Sequence, residues 1–185
     1  LKFPQQHTVF RNKAALRVSP MRAQWELGSN GHYSVAKTGS FFIEIAPAKG
    51  RLAYDWDKKV VIALNPLEMV SMFPALKTEA GFKAIHDPGA GSVNKGKVVK
   101  TMSAKAVGNG GIGITINVKK GEASEFQNIV VSGPDLLLLK ILSESVIPSL
   151  YGWPEALDVE FVKQHDLSGK PAATPPATSF EEPKI

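Results

Sequence analysis

Apolar side chains occupy every second position at Ile112, Ile114, Ile116 and Val118, with Gly113, Thr115, Asn117 and Lys119 between them. An extended strand with one buried face accounts for that period, because successive strand side chains point to opposite sides. Phe41, Ile43 and Ile45 alternate with Phe42 and Glu44 in the same way. Around these two runs the first half reads as strands at 10–18, at 24–27 with 33–37, at 41–46 and at 52–64. Turn signals stand at Gly28-Ser29-Asn30-Gly31, Thr38-Gly39 and Lys49-Gly50. The period then changes. Asn65 can cap a helix, Pro66 suits its first turn and Glu68 stands three residues after the cap. Leu67, Val70, Phe73 and Leu76 give that helix an apolar face. The cycle repeats with strands at 82–87, 97–105, 112–118 and 126–131, including a turn at Asn109-Gly110. Ser132-Gly133-Pro134-Asp135 then opens a second helix, from 136 to 151. With the 24–37 hairpin taken as one, the chain is ββββα repeated twice, an α+β protein. The halves share an architecture and no residue-level identity.

The second helix begins with Leu136, Leu137, Leu138, Leu139, Ile141 and Leu142, which are apolar nearly all round. Such a helix is either central to the core or covered by another subunit, and the sequence leaves both readings open. Residues 169–178 are rich in Pro and Ala, and Phe180-Glu181-Glu182 follows, a composition that cannot supply a core. The expected organisation is a lead-in at 1–6, one domain at 7–165 and a disordered tail at 166–185. No apolar run approaches the length of a membrane span. There is no signal-peptide pattern. The first residue is Leu1, and an upstream segment, removed or left out, is expected. The chain has no cysteine, which excludes disulfides and thiolate metal sites.

Charge is distributed unevenly. Residues 1–25 hold Lys2, Arg11, Lys13, Arg17 and Arg22 with no acid before Glu26, and the net charge is +5. If 10–18 is one strand, Arg11, Lys13 and Arg17 share a face with Ala15, spaced roughly 6.6 Å apart. That is near the phosphate spacing of an extended nucleic-acid strand. Phe10 then falls with Asn12, Ala14, Leu16 and Val18 on the opposite face. Gly91-Ser92-Val93-Asn94-Lys95-Gly96-Lys97 nearly spells a phosphate-binding loop, but Val98 stands where Ser or Thr would hold magnesium. Lys95, Lys97 and Lys100 read instead as a second acid-free cluster on a basic loop entering a strand. Asp55 and Asp57 lack a third metal ligand nearby, and His7, His32, His86 and His165 show no paired ligand spacing. No catalytic constellation, metal or cofactor site is expected. The aromatics Phe10, Trp25, Tyr33, Phe41, Phe42, Tyr54 and Trp56 concentrate in the first half. Phe41 shares the Ile43 face and reads as core; Phe42, opposite, reads as exposed. Tyr54 and Trp56 share parity with Val60, Ile62 and Leu64 and also read as core. Rings combined with a cationic track hold unpaired strands without reading sequence. No helix has the basic face that would enter a major groove.

Several short motifs, in order, resemble the Whirly family of plant and algal single-stranded DNA-binding proteins. They are Arg11-Asn12-Lys13-Ala14-Ala15-Leu16, Tyr54-Asp55-Trp56, Asn65-Pro66-Leu67-Glu68, His86-Asp87-Pro88, Gly96-Lys97-Val98-Val99-Lys100 and Gly152-Trp153. The resemblance implies two antiparallel four-stranded sheets packed across each other, with the helices at the heart of a homotetramer that can assemble further. It implies single-stranded DNA as partner, without enzymatic activity, in plastids, mitochondria or the nucleus, with the plastid as the expected address. Genome maintenance, DNA repair and transcription regulation are the implied roles. Lys13 matches a family lysine linked to DNA contact and assembly, while Asn12 replaces the family's glycine. The candidate nucleic-acid contacts are Arg11, Asn12, Lys13, Arg17, Lys95, Lys97 and Lys100 for the backbone, with Phe10, Tyr33 and Phe42 for stacking. RNA binding on the same surface and regulation through protein contacts remain alternatives.

Overall fold

A computed structural model describes residues 6–151, apart from the side chains of Tyr33 and Asn109. The boundary expected at 165 and the tail at 166–185 lie outside the described residues. In chain order the elements are β1 (His7–Phe10), β2 (Ala14–Met21), β3 (Gln24–Leu27), β4 (Tyr33–Lys37), β5 (Ser40–Gly50), β6 (Ala53–Tyr54) and β7 (Val60–Leu64). Helix α1 (Pro66–Ala75) follows, then β8 (Phe82–His86), β9 (Val98–Val107), β10 (Gly111–Lys120), β11 (Ala123–Val131) and helix α2 (Pro134–Leu150).

Two antiparallel sheets share one core. The first runs β1-β2-β5-β7, with the short β6 paired to the far end of β5; the second runs β11-β10-β9-β8. The period-two pattern dictates what each sheet buries. Leu16, Ile43, Ile45, Ile62 and Leu64 from the first and Met102, Ile114, Ile116, Ile129 and Val131 from the second lie in one buried cluster. Each such side chain contributes about 1.5–3 kcal/mol by leaving water. Ile112, Ile114, Ile116 and Val118, the run that most constrained the fold, are all buried on β10.

Three readings of the strands need correction. Residues 10–18 are not one strand: the chain folds back at Arg11-Asn12-Lys13, where the Arg11 N–H donates to the Ala14 carbonyl at 3.0 Å. Phe10 thus pairs with Ala15, and Val9 with Leu16. Residues 52–64 are broken by a turn of 3-10 helix at Trp56–Lys58. The 24–37 hairpin forms a two-stranded sheet of its own, β3 with β4, rather than joining the first sheet.

The helices are fixed at their ends. The Asn65 side chain accepts from the Glu68 N–H at 2.8 Å, and Glu68 Oε2 accepts from the Asn65 N–H at 2.9 Å, the capping box expected from sequence. At the other end of the domain, α2 would leave carbonyls without partners. The Gly39 N–H donates to the Leu150 carbonyl at 2.6 Å, and the Ala23 N–H to the Ser149 carbonyl at 3.4 Å. Gly39 is required there, since a Cβ would meet the Met21 carbonyl and lie 2.9 Å from Leu150 Cα.

Within the single chain, α2 buries only Leu139, Ser143 and Leu150; Leu137, Leu138, Ile141 and Leu142 stay exposed, up to 59 % at Leu137. Between α1 and α2 lies an apolar groove of about 670 Å³, lined among others by Met69, Val70, Phe73, Leu136, Leu137 and Ile147. No helix among the described residues is long and apolar enough to cross a membrane.

Candidate nucleic-acid interface

The register of the first sheet defines its outer face. Thr8, Arg17, Glu44 and Val61 lie in one cross-strand row; Phe10, Ala15 and Ala46 lie in a second, and Ser19, Phe42 and Ala63 in a third. Ala15 and Ala46 face outward yet are fully buried. Phe10 shares their row, and Tyr54 stands beside it. Tyr54 pairs with Ala48 on β5, while its hydroxyl donates to the Arg11 carbonyl at 2.8 Å. The ring therefore reaches from β5 to the tip of the β1–β2 hairpin. The Phe10 ring sits beside it, with centroids 5.4 Å apart and planes tilted by 34°. Trp56, on the 3-10 turn, lies beneath the Arg17 guanidinium, whose carbon is 3.7 Å from the indole centroid. Arg17 Nη1 is 3.5 Å from Glu44 Oε2, and Lys59 Nζ is 2.6 Å from Glu44 Oε1. Apart from Phe42, this sheet face thus carries three rings, two cations and one carboxylate side by side.

The hairpin changes the role of Phe10. Residues placed on opposite faces by an unbroken strand share one once the chain reverses, so Phe10 belongs with Ala15 and Arg17 and is 56 % exposed. Tyr54 and Trp56 are likewise not core residues, because the break at 55–59 decouples them from the parity of β7; both are half-buried on the outer face. Phe42 is half-buried in its row beside Ser19 and Ala63. Asn12 and Lys13 form the exposed hairpin tip, and the Lys13 side chain has no ion pair or hydrogen bond among the described residues. Arg11 is differently engaged. Its Nη2 bonds Asp135 Oδ2 at 2.8 Å, its Nε donates to the Val130 carbonyl at 3.2 Å and its Nη1 to the Phe10 carbonyl at 2.9 Å. It staples the hairpin to β11 and to the first turn of α2. Tyr33 begins β4, and its side chain lies outside what the structure describes.

The second basic cluster stands elsewhere. Asp87 organises the loop before β9, its two carboxylate oxygens accepting from the Gly89 and Gly96 N–H groups at 2.9 and 2.8 Å. Lys95 is exposed on that loop, and Lys97 Nζ donates to Asn94 Oδ1 at 2.9 Å. Lys100 lies in the row of His86 and Val118, toward the core side of the second sheet. Arg11 meets the sheet at Val130, which pairs with Gly113, whereas the Lys97 carbonyl accepts from Gly121 beyond the end of β10. Seven strand rises between Gly113 and Lys120 put the two clusters roughly 24 Å apart.

The outer face of the second sheet holds residues that the sequence reading passed over. Ile85, Thr101, Asn117 and Phe126 form one cross-strand row, with Ile85 and Phe126 exposed. Phe126 is a ring on the polar-looking face of β11, and its parity against the buried Ile129 and Val131 was the signal available. Glu44 and Lys59 were also missed as members of the first face. Asp55 is paired with Lys58 Nζ at 3.7 Å, and no group of three or more His, Cys, Asp or Glu residues fit to hold a metal occurs among the described residues.

Fold and surface together define a class: a two-sheet α+β protein with rings and cations on its outer sheet faces and two helices carrying uncovered apolar side chains. The chain belongs to the Whirly family, whose model, described as Whirly transcription factor, matches residues 9–142. It is 27 % identical over 150 residues to the mitochondrial single-stranded DNA-binding protein WHY2 of Arabidopsis thaliana, covering 80 % of this chain and 63 % of that one. It is 27 % identical over 172 residues to the chloroplastic single-stranded DNA-binding protein WHY1 of Solanum tuberosum, covering 91 % and 62 %. This chain therefore spans a little under two-thirds of the length of those relatives. Among solved structures it is similar to WHY3 from Arabidopsis thaliana, at a TM-score of 0.77 and 26 % identity over 83 % of this chain and 92 % of that one. It is also similar to the plant transcriptional regulator PBF-2, at a TM-score of 0.73 and 25 % identity over 83 % and 85 %.

Proposed function

We propose that this chain binds single-stranded DNA with little sequence preference, as a non-enzymatic protein of a plastid or mitochondrion that supports genome maintenance and transcription there. The observation that carries the reading is the outer face of the first sheet. Phe10 and Tyr54 offer ring surface beside the free cation Lys13, and stacking on rings tolerates any base. Lys13 serves as the leading phosphate contact and Asn12 as a donor beside it, while Arg11 acts as scaffold through its three internal bonds. Phe42 extends the face. Lys95 and Lys97 suit a second stretch of backbone on the loop before β9, and Lys100 flanks it. The relatives' printed names, chloroplastic and mitochondrial single-stranded DNA-binding proteins, support both the ligand and the organelle.

Assembly completes the reading. The uncovered α2 side chains and the groove against α1 form an apolar surface of the kind that marks protein contact. Copies of this chain cover it in a homotetramer, and larger assemblies grow from that unit. A long strand then runs from the first sheet of one copy to the β8–β9 loop of another, which brings together clusters held apart in one chain.

The test is titration of the protein with oligo(dT), its duplex form and oligo(U) at several salt concentrations. Single strands are expected to bind more tightly than duplex, and Lys13→Ala to weaken all single-stranded sequences alike. That variant should also flatten the log–log salt slope by about 0.7, the value for one neutralised phosphate. Preference for duplex would defeat the reading, and preference for oligo(U) over oligo(dT) would redirect it to RNA, which alone offers a 2′-hydroxyl.

A further inference from the structure

The middle of the first sheet's outer face is closed by three side chains. Arg17 lies over Trp56 at 3.7 Å and reaches Glu44 Oε2 at 3.5 Å. Glu44 is the only acid in β1, β2, β5 and β7, and it stands in the centre of a face otherwise suited to a polyanion. The carboxylate is held unequally. Lys59 Nζ is 2.6 Å from its other oxygen, a tight charge-assisted contact, whereas the arginine contact is long for one. Arg17 Nε is buried and has no hydrogen-bond partner. A buried donor without an acceptor is unfavourable, and a guanidinium has paired N–H groups suited to two phosphate oxygens at once. A backbone phosphate thus offers Arg17 what its present seat does not. If Arg17 leaves, Glu44 keeps Lys59 and is not left alone, while one face of the indole is uncovered.

We propose that Arg17 is a displaceable latch on Trp56, set by Glu44: an arriving strand draws the guanidinium from Glu44 onto a phosphate and seats a base on the indole in its place. The inference rests on the reading of this face as the single-strand site. It gives Glu44 a role beyond stability, that of a positioning residue that lowers affinity by holding Arg17 closed.

The experiment uses the full chain with Trp25 and Trp153 replaced by Phe, so that fluorescence reports Trp56. Acrylamide quenching of the free protein and oligo(dT) titration across salt are measured for this parent, for Glu44→Gln, for Arg17→Ala and for the double variant. Glu44→Gln is expected to raise quenching without DNA. It should tighten oligo(dT) binding by about threefold, the effect of removing one like charge a few ångströms from a phosphate in a water-like dielectric. Arg17→Ala, by contrast, should flatten the salt slope by about 0.7, the one phosphate that the guanidinium meets in the bound state. In the Arg17→Ala background Glu44→Gln should no longer raise quenching, because nothing is left to release from the indole. Should Glu44→Gln fail to fold, Arg17→Lys serves, since an ammonium does not lie flat on a ring and must raise quenching. Unchanged quenching in Glu44→Gln, or an unchanged salt slope in Arg17→Ala, would overturn the latch while leaving the site standing. A parent protein that ignores oligo(dT) at low salt would overturn the site and the latch together.

Discussion

Alanine at 15 and 46 keeps the row beneath Phe10 low. Both side chains point outward and both are fully covered, beside the Phe10 and Tyr54 rings. Ala15→Leu would push into that cover. Overpacking of this kind costs about 1–3 kcal/mol, so the variant should melt earlier and also bind oligo(dT) less well. Phe10 answers to a different test. It is mostly exposed, so Phe10→Ala should cost about 1–3 kcal/mol of strand binding, the value of one stacked ring, with little change in melting temperature; the reverse outcome would return Phe10 to the core. Leu52 illustrates strain without evident function. It is the only non-glycine residue with a positive φ among the described residues, at 57°, and is almost fully exposed in the β5–β6 turn. A left-handed conformation costs a residue with a Cβ about 1–2 kcal/mol, so Leu52→Gly should raise stability by about 0.5–1 kcal/mol in a thermal melt.

At the level of elements, the chain joins its parts through a few backbone contacts. The C-terminal end of α2 is closed by N–H groups from 23 and 39, which ties the first sheet's connections to the helix. Gly39→Ala forces a methyl group into that junction and should destabilise the fold by about 1–3 kcal/mol, seen as a lower melting temperature. Most elements were legible because their periods are clean: β10 from four alternating aliphatics, α1 from a cap, a proline and a glutamate in sequence. The hairpin at Arg11-Asn12-Lys13 was not legible by period. Polar residues at 11 and 13 continue the alternation of a strand, and neither Gly nor Pro marks the reversal. The only hint was three polar residues together between apolar runs, with Asn12 as a residue that tolerates turns. The same blindness hid Trp56. Parity counted back from Val60 passes through Asp55, Asp57, Lys58 and Lys59, a polar cluster that breaks the strand and resets the count. The basic residues were legible as a group, but their partners were not, because Asp135 and Glu44 are distant in sequence from Arg11 and Arg17.

At the scale of the whole molecule, the proposed reading assigns two surfaces: the outer sheet face with its rings and cations to a polyanion, and the uncovered apolar helix face to other copies of the chain. Ile141 stands in the second and is half exposed. Ile141→Lys should leave the fold of the single chain intact and shift light scattering toward smaller species, with far-ultraviolet circular dichroism as the control for folding. Loss of assembly should also weaken binding to long oligomers more than to short ones, because linked sites gain from effective concentration and isolated ones do not. An unchanged particle size would show that these leucines and isoleucines serve something other than self-association.

Arg11 grips the hairpin tip that carries Lys13 and, through Asp135, the head of α2. On the proposed function it is a strut between the cargo side and the crew side of the molecule. Reciprocity then demands that whatever steadies one end steadies the other to the same degree: loading DNA should consolidate the particle, dilution should loosen its hold on DNA, and cutting the strut should let the two ends forget each other.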